Sequence, residues 1–135
     1  MGGMPRGDAT GMSLRVEVFP EDLNAFVDFY TRALGFALVT DQRQAETPYA
    51  AVARGGVRIG AARPWAAVQT AARTAPTGVE IVLEVDDVAA EADRVRAAGW
   101  PLAEEPQSRP WGLTDFRVHD PAGYYLRITG RTPGS

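Results

Sequence analysis

Val79-Glu80-Ile81-Val82-Leu83-Glu84-Val85-Asp86-Asp87-Val88 is the stretch whose reading decides the fold. Its first seven residues alternate: Ile81, Leu83 and Val85 share one face, Glu80, Val82 and Glu84 the other, as in a strand with one covered side. Asp86-Asp87 then opens a helix with acids where the helix dipole favours them. Val88, Ala92 and Val95 give that helix an inner stripe, and Gly99 stops it. The same order of events occurs earlier in the chain. Leu14-Arg15-Val16-Glu17-Val18-Phe19 alternates, and Pro20-Glu21-Asp22 opens a helix striped by Leu23, Phe26, Val27, Tyr30 and Leu34. Gly35 closes it as a residue just past the last turn. The two runs lie roughly 65 residues apart with one deletion between them, which marks an internal repeat.

The rest of the chain fits around that repeat. Phe36 to Thr40, Pro48 to Arg54 and Val57 to Ala62 read as strands, the last two joined by the hairpin signal Gly55-Gly56. Arg63 to Thr77, rich in Pro, Ala, Thr and Arg, has no period and reads as a linker. A short strand is expected around Pro101 to Glu104. A final pair, Gly112 to Val118 and Tyr124 to Thr129, is joined by the turn Asp120-Pro121-Ala122-Gly123. Each half is therefore strand, helix, then about three strands: an α+β fold of two βαβββ modules with mixed sheets. Residues 1–12 read as a loose tail, and 13–131 as a single domain. Within it, module one is 13–64, the linker 65–77 and module two 78–131. A helix covers only one face of each sheet, so the bare face needs a partner, either the other half or another chain.

Composition removes several functional classes. With 135 residues the chain suits one domain that folds without staples. No cysteine excludes thiolate nucleophiles, disulfides and sulfur-ligated metals. A single histidine, His119, excludes sites that need two or three imidazoles. A net charge of -3 argues against nucleic acid or an anionic membrane as partner, and if anything favours cationic ligands. No run approaches the ~20 apolar residues of a membrane span, and the N-terminal residues do not read as a secretory signal. The expected compartment is the cytoplasm. Ser13 and Ser108 have no neighbouring His and acid in sequence, and the glycines form no phosphate-binding pattern.

Two segments carry a family resemblance. One is Glu21-Asp22-Leu23 with Phe29-Tyr30 and Leu34-Gly35-Phe36; the other runs from Arg109-Pro110-Trp111-Gly112 through Asp115-Phe116-Arg117-Val118-His119-Asp120-Pro121-Ala122-Gly123-Tyr124. Over residues 13 to 130 the chain resembles the vicinal oxygen chelate superfamily of glyoxalase I, extradiol dioxygenases and bleomycin-resistance proteins. The second segment looks especially like the antibiotic-resistance branch. The resemblance implies a homodimer in which each curved sheet is completed by the partner chain, with clefts at the subunit interface.

It also implies four metal-ligand positions, which fall at Arg15, Gly60 or Ala61, Glu80 and Arg127. Only Glu80 can ligate a hard cation, so no metal, no cofactor and no catalytic residue is expected. Alternation puts Arg15, Glu17, Phe19, Arg58, Gly60, Glu80, Val82, Glu84, Asp115, Arg117, Tyr125 and Arg127 on cleft-facing positions. Arg15, Glu80 and Arg127 either weld the halves as an ion-pair cluster or touch ligand. Trp111, fixed by Pro110 and Gly112, and Tyr49 match aromatics that line the drug cleft in the resemblance. Trp65, in the linker, covers either the second chain or the cleft mouth, and Trp100 reads as core.

The reading that follows is non-catalytic capture of a bulky aromatic antibiotic of the bleomycin, mitomycin or enediyne sort. Tyr49, Trp65 and Trp111 with Gly112 would stack on it. Glu17, Phe19, Arg58, Glu84, Asp115 and Arg117 would complete the binding site. The alternative is a metal-dependent glyoxalase, isomerase or dioxygenase of the same superfamily with a displaced site.

Overall fold

The computed structural model describes residues 11–63 and 78–131. Trp65, the linker 65–77 and all of the expected tail but Gly11 and Met12 lie outside the described residues. The elements are β1 (Val16–Val18), α1 (Leu23–Asp28) running on into a π-helical turn (Phe29–Ala33), β2 (Ala37–Gln42), β3 (Tyr49–Arg54) and β4 (Val57–Ala62). The second module has β5 (Ile81–Val85), α2 (Val88–Ala97), β6 (Glu104–Ser108), β7 (Thr114–His119) and β8 (Tyr125–Gly130). They form two four-stranded mixed sheets, ordered β1-β4-β3-β2 and β5-β8-β7-β6. In each module the first strand runs parallel to the last, and the other pairings are antiparallel. The repeat in the sequence is thus a repeat in topology.

The acids that open each helix act as caps. Asp22 Oδ1 accepts from the amides of Asn24 and Ala25 at 2.9 and 3.1 Å, and Asp87 Oδ1 accepts from Ala90 at 3.0 Å. The segment from Asp22 to Gly35 is one residue longer than that from Asp87 to Gly99. The extra residue is taken up by the π-helical turn, where the Leu34 amide reaches back to Phe29 O at 3.3 Å. Phe29 and Tyr30 in this turn are both buried, each 1% exposed, as are the neighbours Phe26 and Val27 in α1.

One hydrophobic core spans both modules. The helices join it: the Phe29 ring packs on Trp100 of module two with centroids 4.7 Å apart, while Tyr30 packs on Phe26 and Phe36. Two polar clasps cross the same junction. Tyr30 donates to Asp120 Oδ2 at 2.7 Å, and Arg54 at the end of β3 grips Glu91 of α2 with two bonds of 2.9 and 2.5 Å. Arg54 Nη1 also donates to Leu34 O at 2.7 Å.

Several strand boundaries differ from expectation by a residue or two, and β6 by more. β6 begins at Glu104 rather than ending there, because Glu104-Glu105-Pro106-Gln107-Ser108 is an edge strand with neither apolar alternation nor a full set of donors. Its pairing with β7 is irregular between Glu104 and Gln107, where Pro106 sits. β1 is only three residues long; its register to β4 starts at Val16, which leaves Leu14 exposed before it.

Candidate functional site

Strand register defines what lies on the sheet faces turned away from the helices. In module one Glu17 is opposite Gly60, which in turn is opposite Ala51, so Glu17, Gly60, Arg58 and Tyr49 share the open face. Tyr49 donates to Glu17 Oε2 at 2.9 Å, and Arg15 Nε pairs with the same oxygen at 2.8 Å. Burial, then the Glu17 hydrogen bond, pushes the Tyr49 pKa above 10.0. This triad lies flat across Gly60, where any Cβ would overlap the Tyr49 hydroxyl and both Glu17 carboxylate oxygens. Glycine leaves room there for the close approach of these side-chain ends, not for an unusual backbone angle. Arg58 reaches Thr40 Oγ1 at 3.4 Å, and Phe19 follows β1 half-buried.

In module two Asp115 faces Thr129, Arg117 faces Arg127 and Val82 faces Arg127, which sets Glu80, Val82, Glu84, Asp115, Arg117, Tyr125 and Arg127 on one open face. Six of the charged side chains here close into a ring of alternating sign. Arg109 holds Glu104 at 2.6 Å and Asp115 at 2.7 Å; Glu80 bridges Arg117 at 3.0 Å and Arg127 at 3.2 Å. Two longer contacts complete it, Glu104 to Arg117 Nε at 3.5 Å and Asp115 Oδ2 to Arg127 at 3.8 Å. Asp115 Oδ2 and the Nε atoms of Arg117 and Arg127 are buried with no hydrogen bond among the described residues. The hydrogen bonds that Arg109 donates to Asp115 and Glu104 raise its pKa above the ordinary value. The Arg117 guanidinium lies 5.4 Å from the Tyr125 ring centroid, and Tyr125 packs on His119.

Trp111 follows Arg109 of this ring by two residues. The turn Arg109 to Gly112 closes with Gly112 N donating to Arg109 O at 3.0 Å, and Gly112 holds φ at 93°. Arg109 is thereby tied to the ring through its side chain and to the turn through its backbone. Trp111 is 60% exposed at the tip, so it does not plug the end of the sheet. Glu84 is exposed on β5. Trp100, half-buried, donates from Nε1 to His119 O at 2.9 Å.

The structure thus gathers Glu17 with Tyr49 on one face, and Asp115 with Arg117 on the other. Arg15 does not join Glu80 and Arg127: it pairs along its own strand, and the halves are clasped instead by Tyr30–Asp120 and Arg54–Glu91. Glu104 and Arg109 belong to the ring although the sequence reading left them out of the site. Glu104 was missed because β6 was misplaced; Arg109 was visible only as the residue before Pro110-Trp111.

The donor set at the expected metal positions does not fit a divalent cation. Glu80 is committed to two guanidiniums, Gly60 offers no donor and Arg15 and Arg127 are cations. No group of three or more His, Cys, Asp or Glu able to hold a metal occurs among the described residues.

Two similar modules, each with a four-stranded mixed sheet, make this a small α+β protein. The chain belongs to the glyoxalase/bleomycin resistance protein/dioxygenase superfamily, whose family model matches residues 13–128. It is similar in structure to TioX from Micromonospora sp. ML1, at 27% identity and a TM-score of 0.72, over 90% of this chain and 100% of that one. TnmS3, an antibiotic binding protein from Streptomyces sp. CB03234, is 22% identical with a TM-score of 0.68, over 93% and 100% of the two chains. A bleomycin resistance determinant encoded on the transposon Tn5 is 19% identical with a TM-score of 0.67, over 89% and 98%. No curated protein sequence matches the chain. No helix among the described residues is long and apolar enough to cross a membrane.

Proposed function

We propose that this protein binds a bulky, partly aromatic antibiotic and sequesters it unchanged, as a cytoplasmic homodimer that confers self-resistance. The observation that carries this reading is Trp111: a large indole, 60% exposed, held on a hydrogen-bonded turn that starts at Arg109 of the charged ring. An isolated exposed indole gains little for folding, whereas a planar ligand stacked on it contributes roughly 0.5–1.5 kcal/mol beyond area burial. Tyr49, on the other open face, is a second stacking surface, and Arg58, Glu84 and Arg117 orient polar groups, whereas Asp115, fully buried, holds Arg109 in place rather than reaching the ligand. Structural likeness to an antibiotic binding protein and a bleomycin resistance determinant supports the same reading. Each bare sheet face requires cover, which supports pairing of two chains. Resistance then follows from mass action, since excess protein of low Kd lowers free drug.

The test is a titration of tryptophan fluorescence with bleomycin, mitomycin and enediyne antibiotics, with recovery of the ligand for mass measurement. Saturable quenching that Trp111→Ala abolishes, with ligand returned unaltered, establishes capture. Absence of quenching by every member removes the reading, and a changed ligand mass replaces it with catalysis.

A further inference from the structure

The chemistry of the ligand can be narrowed further, and this step rests on the binding reading above. Arg117 and Arg127 are directly opposed across β7 and β8. Like charges in that relation repel, and carboxylates relieve the repulsion: Glu104 lies 3.5 Å from Arg117 and Asp115 3.8 Å from Arg127, but only one carboxylate touches both arginines. Here that is Glu80, whose carboxylate bridges the two guanidiniums at 3.0 and 3.2 Å.

Glu80 is also the least anchored member of the ring. It is the most exposed of the six side chains at 35%, against 0% for Asp115, 18% for Arg109 and 31% for Glu104. It precedes β5 rather than lying within it. The two arginines, by contrast, sit mid-strand with side chains only 21% and 24% exposed. The guanidinium pair is therefore the more buried part of the contact, and its carboxylate partner the more accessible.

We propose that the ligand carries an acidic oxygen, a carboxylate or an ionised phenol, that takes the place of Glu80 between Arg117 and Arg127. Glu80 then acts as an internal stand-in that keeps the arginine pair neutralised until ligand arrives. With Glu80 withdrawn, the ring retains three guanidiniums and two carboxylates, and one oxyanion restores its balance. The paired planar donors suit such a group in bidentate fashion. The local charge of this face, not the overall charge of -3, sets the preference.

The experiment uses the full chain and three planar probes that differ in one substituent: 9-anthracenecarboxylate, 9-anthracenemethanol and 9-(aminomethyl)anthracene, titrated by calorimetry. The carboxylate is expected to bind about tenfold tighter than the alcohol, as a charge-assisted bidentate contact implies. Glu80→Gln is expected to strengthen carboxylate binding several-fold and leave the alcohol unchanged, because the competitor is gone. Glu80 is partly exposed, so this variant should keep its fold, and Arg127→Lys offers a second check by weakening the acid selectively. Equal binding of acid and alcohol, or weaker acid binding in Glu80→Gln, overturns the proposal while the binding function stands. Preference for the amine overturns it in favour of a cationic ligand. Failure of all three probes to bind removes both this proposal and stacking of planar ligands.

Discussion

The Tyr30 hydroxyl of module one donates to Asp120 Oδ2 of module two across 2.7 Å, with both residues buried. Asp120 Oδ1 at the same time accepts the amides of Ala122 and Tyr124, so one carboxylate organises the β7–β8 turn and clasps the two modules. Tyr30→Phe leaves Oδ2 buried and unpaired. The expected loss is about 1–3 kcal/mol in urea unfolding, with the midpoint shifted and the slope unchanged.

Burial, the largest influence, raises the Asp120 pKa above 3.8, against the hydrogen bonds that lower it. A carboxyl with a folded pKa above its unfolded value favours the fold at low pH. Its contribution is full below 3.8 and is lost as pH rises through the folded pKa. Asp41, held near 2 by Arg43, and Asp86, lowered by Arg131, act in the opposite sense and lose their contribution as pH falls. The difference between wild type and Asp120→Asn isolates the first effect: wild type should lose stability relative to the variant as pH rises from 3.8. A pH-independent difference would contradict it.

Arg54→Gln tests the second clasp. Glu91 is only 8% exposed and would keep Arg94 at 3.2 Å as its remaining partner. Because Arg54 is itself 36% exposed, the cost should be about 1–3 kcal/mol, not the larger figure for a fully buried pair. Thermal unfolding should stay a single transition at a lower midpoint.

Gly60→Ala should displace the Tyr49 hydroxyl or the Glu17 carboxylate, both movable side-chain ends, at a cost of about 1 kcal/mol, the low end for overpacking. In a Tyr49→Phe background the cost should shrink, since the nearest obstruction is gone. Equal costs in both backgrounds would show that the triad does not rest on Gly60.

Trp111→Ala, in contrast, should change stability by less than about 0.5 kcal/mol, because the side chain is exposed and lies outside the core. Chemical denaturation reads this directly.

The fold was legible wherever one face of an element is apolar. β5 follows the alternation from Ile81 to Val85, and the helix openings at Asp22 and Asp87 became caps. β6 was not legible, since an edge strand of Glu, Pro, Gln and Ser buries too little to leave a period. The site was half legible: register placed Glu17, Asp115 and Arg117 on open faces, as parity dictates. Parity alone does not say which charges meet. Arg15 had Glu17 two residues away and took it, while the closing of the ring depends on Glu104 and Arg109, whose positions follow from a bulge and a turn.

The π-helical turn at Phe29–Ala33 bears on how the two halves came to differ. If they descend from one ancestral unit, their one-residue difference in length is now carried inside a helix, at the π-helical turn. The duplicated parts are no longer interchangeable: removing Thr31 would restore their equal length and shift the residues on one side of it out of step with those that pack on module two. Symmetry regained in the gene would be cohesion lost in the protein.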